Sequence, residues 1–137
     1  IIDKKSTKSF VVNIKPISKN FDADRTQFVK SENALDSKEA MLRFKEWITK
    51  NVSGKPVFVS DNNGFDWMFV CWYFWHFLNE NPLGYYSENM QSFYRGISKD
   101  MKVKIGDLRK KELLHDAEAD AKDNAEIFLR LLDEVSK

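Results

Sequence analysis

The spacing of apolar side chains predicts three helices. In residues 37–50 apolar side chains recur every three or four positions, which places them on one helix face, and Asp36 stands where an N-cap belongs. Residues 65–79 are apolar nearly all round, which predicts a helix at the centre of the core. A third helix is predicted over residues 117–135. Its expected buried stripe is Ala121, Ala125, Phe128, Leu132 and Val135.

Two short segments rich in β-branched and aromatic residues predict strands. They are residues 9–17 (SFVVNIKPI), ending near Pro16, and residues 55–60 (KPVFVS), followed by the turn sequence DNNG. A short helix is predicted over 87–97 and a basic loop over 99–111. Strands separated by helices favour an α/β domain, in which ligands bind beyond the carboxyl ends of the strands. Asp66 would then lie in the first turn of the helix that leaves the second strand.

Composition narrows the class of protein. The 137 residues fit one domain, and the 42% hydrophobic and 14% aromatic fractions exclude a wholly disordered chain. Because the formal net charge is only +1, any site for a polyanion must be local. One cysteine fits a reducing compartment, which predicts a cytoplasmic protein. No stretch is apolar over enough residues to span a bilayer.

The segment HDAEADA, residues 115–121, brings a titratable base and a carboxylate together at a helix start. An imidazole can take a proton from water while a carboxylate holds a metal ion, as metal-assisted phosphodiester cleavage requires. His115, Asp66 and Asp120 are therefore the candidate catalytic residues. The alternative is structural, since acidic residues in a first turn also stabilise the helix dipole.

Two short motifs resemble those of a nuclease family. Asn62-x-x-Phe65-Asp66 resembles the second motif, and His115-x-x-x-x-Asp120 the third, of the DEDDh 3′-5′ exonucleases, with the ribonuclease T-like branch as the nearest match. The resemblance continues in order through PVFVSDNNGFDWMFVCWYF, NPLGYYSENMQSFYRG and HDAEADAKDNAEIFLRLL, and SFVVNIKPI and EAMLRFKEWI look like earlier elements of the same family.

This resemblance implies a ribonuclease H-like fold, with a mixed sheet flanked by helices, and a two-metal mechanism. Asp66 and Asp120 would bind two Mg²⁺ or Mn²⁺ ions, and His115 would be the base. The family's other two carboxylates belong to an Asp-x-Glu pattern on a first strand, which would lie before Ile1. Either the sequence starts late, so that the 137 residues alone form an incomplete, inactive domain, or this is a degenerate member.

Nucleic-acid contacts are expected around the same crevice. Phe65 is a candidate for base stacking, and Asn62 belongs to the same motif. Tyr94 and Arg95 are candidates for base and phosphate contacts, and Arg109 for a contact with the phosphate backbone. The alternatives are aromatic core residues and a solvated basic loop.

The expected function is a metal-dependent 3′-5′ exonuclease acting on single-stranded nucleic acid. The ribonuclease T-like resemblance favours RNA over DNA as substrate and implies pairing into a homodimer. Two alternatives stay open. One is a catalytically inactive nucleic-acid-binding or interaction module, and the other is hydrolysis of a small nucleotide at the same metal site.

Overall fold

The computed structural model describes residues 7–18, 33–110 and 116–136. Within them the order of elements is α1 (Ser37–Asn51), β1 (Phe58–Ser60), α2 (Asn63–Leu78), β2 (Ser87–Asn89), α3 (Met90–Ser98), a 3-10 helix (Ile105–Leu108) and α4 (Ala117–Val135). The predicted α/β class is confirmed, and the arrangement is consistent with a ribonuclease H-like fold. None of the helices in these ranges has both the length and the apolar character needed to cross a membrane.

β1, α2 and β2 form a βαβ unit. The two strands are parallel, with Val59 opposite Glu88 and Ser60 opposite Asn89, and α2 is the crossover between them. The described sheet is therefore parallel, and the antiparallel neighbour of the predicted mixed sheet is not among the described residues. β2 itself corrects the prediction of a helix from residue 87, because its three residues pair with β1 before α3 begins at Met90.

The core consists of two groups of buried side chains on opposite faces of β1. The α1–α2 cluster contains Met41, Ile48 and Phe74. The α4 cluster contains Met90, Ile105, Ile127 and Leu131. Successive strand residues point to opposite faces: the Phe58 ring lies 5.2 Å from that of Trp67 on α2, while Val59 packs against the α4 cluster. The unit is thus layered, with helices on both faces of the sheet.

α1 and α4 each begin at an aspartate that caps the helix with its side chain. Asp36 accepts a hydrogen bond from the Lys38 backbone N–H, and the Asp116 side chain accepts one from Ala119. α4 has the predicted bounds, but its predicted buried stripe is only partly right. Ala125, Phe128 and Leu132 are half-buried, and Phe128 packs against the α4 cluster, whereas Ala121 and Val135 are exposed. The buried residues of α4 are Ile127 and Leu131.

Three further predictions need correction. The strand predicted over residues 9–17 is absent from the described residues: Ile14 forms one isolated parallel bridge with Leu35, and Phe10 stacks on Phe44 of α1 at 5.3 Å. The predicted loop 99–111 contains the 3-10 helix, which Ile105 anchors in the α4 cluster. α2 is not enclosed at the centre of the core, since Phe74 is the only residue of this helix that is fully buried.

Candidate active site

Asp66 lies in the first turn of α2, just after the connection from β1. β1 ends at Ser60, and the Asn62 carbonyl accepts hydrogen bonds from the backbone N–H groups of Phe65 and Asp66 at 3.0 and 3.2 Å. These bonds form the first turn of α2 and place the Asp66 carboxyl group there, as the sequence predicts. The residue is half-buried at the carboxyl end of β1.

Asp120 occupies the equivalent position on α4. Its backbone N–H donates to the Asp116 carbonyl at 2.9 Å, which closes the first turn. Asp120 shares one helix face with Asn124, Ile127 and Leu131, which follow at spacings of four, three and four residues. Because Ile127 and Leu131 are buried in the α4 cluster, Asp120 and Asn124 extend that inward face toward the start of the helix.

Arg109 ties the starts of the two helices together. Its Nη2 donates to Asp61 Oδ2 and to Asn124 Oδ1, both at 2.7 Å, and its Nη1 donates to Asp123 Oδ2 at 2.5 Å. Asn124 Nδ2 also donates to Asp61 Oδ1 at 3.4 Å. Asp61 lies two residues before α2, and Asp123 and Asn124 lie one turn beyond Asp120. The network therefore joins the ends of α2 and α4 that carry Asp66 and Asp120.

Asp61, Asp66, Asp120 and Asp123 differ in their contacts. Arg109 binds Asp61 and Asp123. Within the described part of the chain, the Asp66 and Asp120 carboxylates accept no hydrogen bond and form no ion pair. Both stand in first turns, where the helix dipole favours negative charge.

Unpaired carboxylates have the donor chemistry of a Mg²⁺ or Mn²⁺ site, since these ions prefer hard oxygen ligands. The side-chain oxygens of Asp66 and Asp120 are donors of this chemical type. Among the residues in the described ranges, no group of three or more His, Cys, Asp or Glu side chains could hold a metal ion. The described side chains of these types therefore do not form a metal site by themselves.

The residues predicted to contact nucleic acid differ in accessibility. Phe65 is 48% exposed and meets Phe69 edge to face, with ring centroids 4.9 Å apart. Asn62 is exposed, and its side chain makes no capping hydrogen bond. Tyr94 packs against the α4 cluster, and the buried Nε of Arg95 has no partner in the described structure. Phe65 and Asn62 are the residues open to a ligand.

Of the two remaining predicted site residues, Arg109 and His115, the structure describes only Arg109. The Arg109 side chain is 7% exposed and binds inside the protein, whereas the sequence predicts a contact with nucleic acid. His115 lies outside the described residues. Sequence reasoning missed Asp61, Asp123 and Asn124. The spacing of Asn124, four residues after Asp120, is a signal that could have identified it.

Comparison with known proteins adds one relative. The chain is similar to the 3′-5′ DNA exonuclease Cap18 of Escherichia coli, with 34% identity over 146 aligned positions that cover 96% of this chain and 78% of that protein. No model of a known protein family matches the chain.

Proposed function

The chain belongs to the exonuclease family of Cap18, and from this we propose that it is a metal-dependent 3′-5′ exonuclease that shortens single-stranded DNA. Asp66 and Asp120 are metal ligands in this proposal, and His115 is the general base. The observation that carries it is that the Asp66 and Asp120 carboxylates, in the first turns of α2 and α4, have no hydrogen-bond or ion-pair partner among the described residues. Arg109 joins the ends of the helices that carry them.

The surroundings of the two aspartates support this assignment. Both helix N-termini bring the positive end of a dipole to the same end of the domain, which favours a bound phosphate as well as the carboxylates. Phe65 stands beside Asp66 with half of its side chain exposed, so a terminal base could stack on it. The site thus combines ligands for a cation with contacts for a phosphate and a base.

The proposed reaction assigns three roles to the residues of the site: binding the metal ion, orienting the terminal nucleotide and accepting a proton from water. A bound divalent ion would stabilise negative charge on the phosphate oxygens. Asp66 and Asp120 would hold the ion, and Phe65 would orient the terminal nucleotide. His115 would accept a proton of the attacking water at an imidazole nitrogen. As the new oxygen–phosphorus bond forms, the bond from phosphorus to the 3′ oxygen of the preceding nucleotide breaks, and that oxygen takes up a proton from solvent.

DNA replaces RNA as the favoured substrate. The expectation of RNA rests on the ribonuclease T-like resemblance, whereas the relative with 34% identity is named as a DNA exonuclease. The DEDDh type and the ribonuclease T-like branch remain part of the proposal, as do the homodimer and the cytoplasmic location.

A labelled oligonucleotide tests the proposal. The full-length protein with Mg²⁺ or Mn²⁺ should shorten 5′-labelled single-stranded DNA stepwise from its 3′ end, faster than RNA of the same sequence. Asp66→Asn and Asp120→Asn should each lower the rate at least about a hundredfold, because losing several kcal/mol of charge stabilisation has that effect. His115→Ala should also abolish activity.

Asp133→Asn is a matched control, because Asp133 is an exposed aspartate farther along α4. It should leave the rate unchanged. Full activity in Asp66→Asn and Asp120→Asn would contradict the site. Binding of DNA without shortening would instead identify the inactive module. Faster cleavage of RNA would overturn the choice of substrate.

A further inference from the structure

Arg109 lies between three parts of the chain that are distant in sequence. It follows the 3-10 helix directly, and its guanidinium contacts Asp61 before α2 and both Asp123 and Asn124 on α4. The Arg109 side chain is 7% exposed, and the side chains of Asp61 and Asp123 are 27% and 31% exposed, so these contacts are partly shielded from water. A planar guanidinium holds two carboxylates in a defined geometry, which a flexible ammonium group cannot reproduce.

We propose that Arg109 is a positioning residue, which sets the separation of Asp66 and Asp120 by clamping the starts of α2 and α4. The inference rests on the proposed function. Asp61 precedes Asp66 by five residues, and Asp123 and Asn124 follow Asp120 by one turn, so a shift of either helix start displaces a proposed metal ligand. Arg109 itself touches neither metal nor DNA in this role.

The clamp also has an electrostatic consequence. Arg109 places one positive charge between Asp61, before α2, and Asp123, on α4. Without that charge the two carboxylates would repel each other. Arg109 also occupies two carboxylates close in sequence to the proposed ligands. Without Arg109, the repulsion between Asp61 and Asp123 would push the starts of α2 and α4 apart.

Two measurements separate positioning from direct contact with DNA. The first is binding of Mn²⁺ alone to the full-length protein, followed by electron paramagnetic resonance. The second is the exonuclease assay, with kcat, KM for DNA and the dependence of KM on salt. A phosphate contact contributes about one unit to the slope of binding against salt, whereas a positioning residue does not.

We expect Arg109→Met to weaken Mn²⁺ binding and to lower kcat, each roughly tenfold or more, as residues supporting metal ligands commonly do. KM for DNA and its salt dependence should stay near wild-type values. Arg109→Lys should recover part of both losses, because it restores the charge but not the fork. Should Arg109→Met fail to fold, Asp123→Ala provides a milder test, since it removes the contact with Asp123 and keeps those with Asp61 and Asn124.

Arg130→Gln is the matched control. Arg130 is exposed and donates to the Leu108 carbonyl at 2.9 Å, which joins α4 to the 3-10 helix but does not reach α2. This variant should retain wild-type Mn²⁺ binding and kcat. Equal losses in Arg130→Gln and Arg109→Lys would overturn the proposal, as would a reduced salt slope with unchanged Mn²⁺ binding. Unchanged Mn²⁺ binding and kcat in the folded Arg109 and Asp123 variants would also overturn it.

The proposed function and the clamp can fail separately. A wild-type protein that binds Mn²⁺ but does not shorten DNA overturns the function, while the Mn²⁺ affinities of the variants still test the clamp. A wild-type protein that neither binds Mn²⁺ nor shortens DNA overturns both.

Discussion

α2 and α4 each carry a proposed metal ligand in the first turn, but they are built from opposite kinds of sequence. α4 is amphipathic, is capped by Asp116, and buries Ile127 and Leu131. α2 is apolar almost throughout, has no side-chain cap, and fully buries only Phe74. The comparison shows that the apolar content of a helix does not determine how much of it is buried.

What determines burial is the surface that the neighbouring elements offer. One face of α2 packs against α1 and contributes Phe74 to the α1–α2 cluster. The opposite face presents an exposed apolar stripe: Phe65, Met68, Phe69, Trp72 and Trp75. These five residues recur at helical spacing, so they form one continuous surface.

The largest expected effect separates the two faces of α2. Phe74→Ala should lower the free energy of unfolding by about 3–5 kcal/mol, because it leaves a cavity in the α1–α2 cluster. Trp75→Ala should change it by less than about 1 kcal/mol, since the neighbouring Trp75 side chain is 56% exposed. Urea denaturation of both variants measures the difference. Equal losses would show that the exposed stripe is covered in solution.

The helix caps should produce a smaller difference. Asp116→Ala should cost about 1 kcal/mol, because the Asp116 carboxylate accepts a hydrogen bond from Ala119 at the start of α4. Asn62→Ala should cost no more than about 0.5 kcal/mol, since its side chain makes no such bond. Urea denaturation again provides the measurement. A larger cost for Asn62→Ala would contradict the asymmetry between the helices.

The smallest expected effect is a change in the reactivity of Cys71, which lies half-buried on α2. Burial raises the pKa of the Cys71 thiol, and the Asn81 amide, which donates to Sγ at 3.4 Å, partly opposes the rise. A higher pKa leaves less thiolate at a given pH, so the rate of alkylation should increase with pH later than for a free cysteine. Iodoacetamide labelling from pH 7 to 10 measures this profile.

Protein unfolded in urea is the control for Cys71. Its profile should return to the ordinary cysteine range, near a pKa of about 8.5. Folded and unfolded protein with the same profile would contradict the burial of this thiol.

The sequence predicted the elements whose signals are local. α4 was predicted with its observed bounds because Asp116 caps it and its apolar residues recur at helical spacing. β2 was missed because Ser87, Glu88 and Asn89 have no strand pattern of their own and become a strand only by pairing with β1. Pairing of this kind depends on tertiary structure, which local propensity does not contain.

The same distinction applies to the site. The positions of Asp66 and Asp120 in first turns followed from turn and cap signals near each residue. The contacts of Arg109 could not be predicted from local signals, because Asp61 is 48 residues away along the chain and Asp123 is 14 residues away. A basic residue in a loop has the same local sequence whether it faces solvent or binds two carboxylates.

The contact of Arg109 with both Asp61 and α4 also fixes when the site can form. A ribosome releases residue 61 long before residues 123 and 124, and domains fold as units once their parts are available. A growing polypeptide that has made α2 therefore holds Asp66 without Asp120, its proposed partner on α4. Assembly of the proposed cation site waits until α4 has emerged, so an interrupted translation product that stops short of this helix carries no working centre.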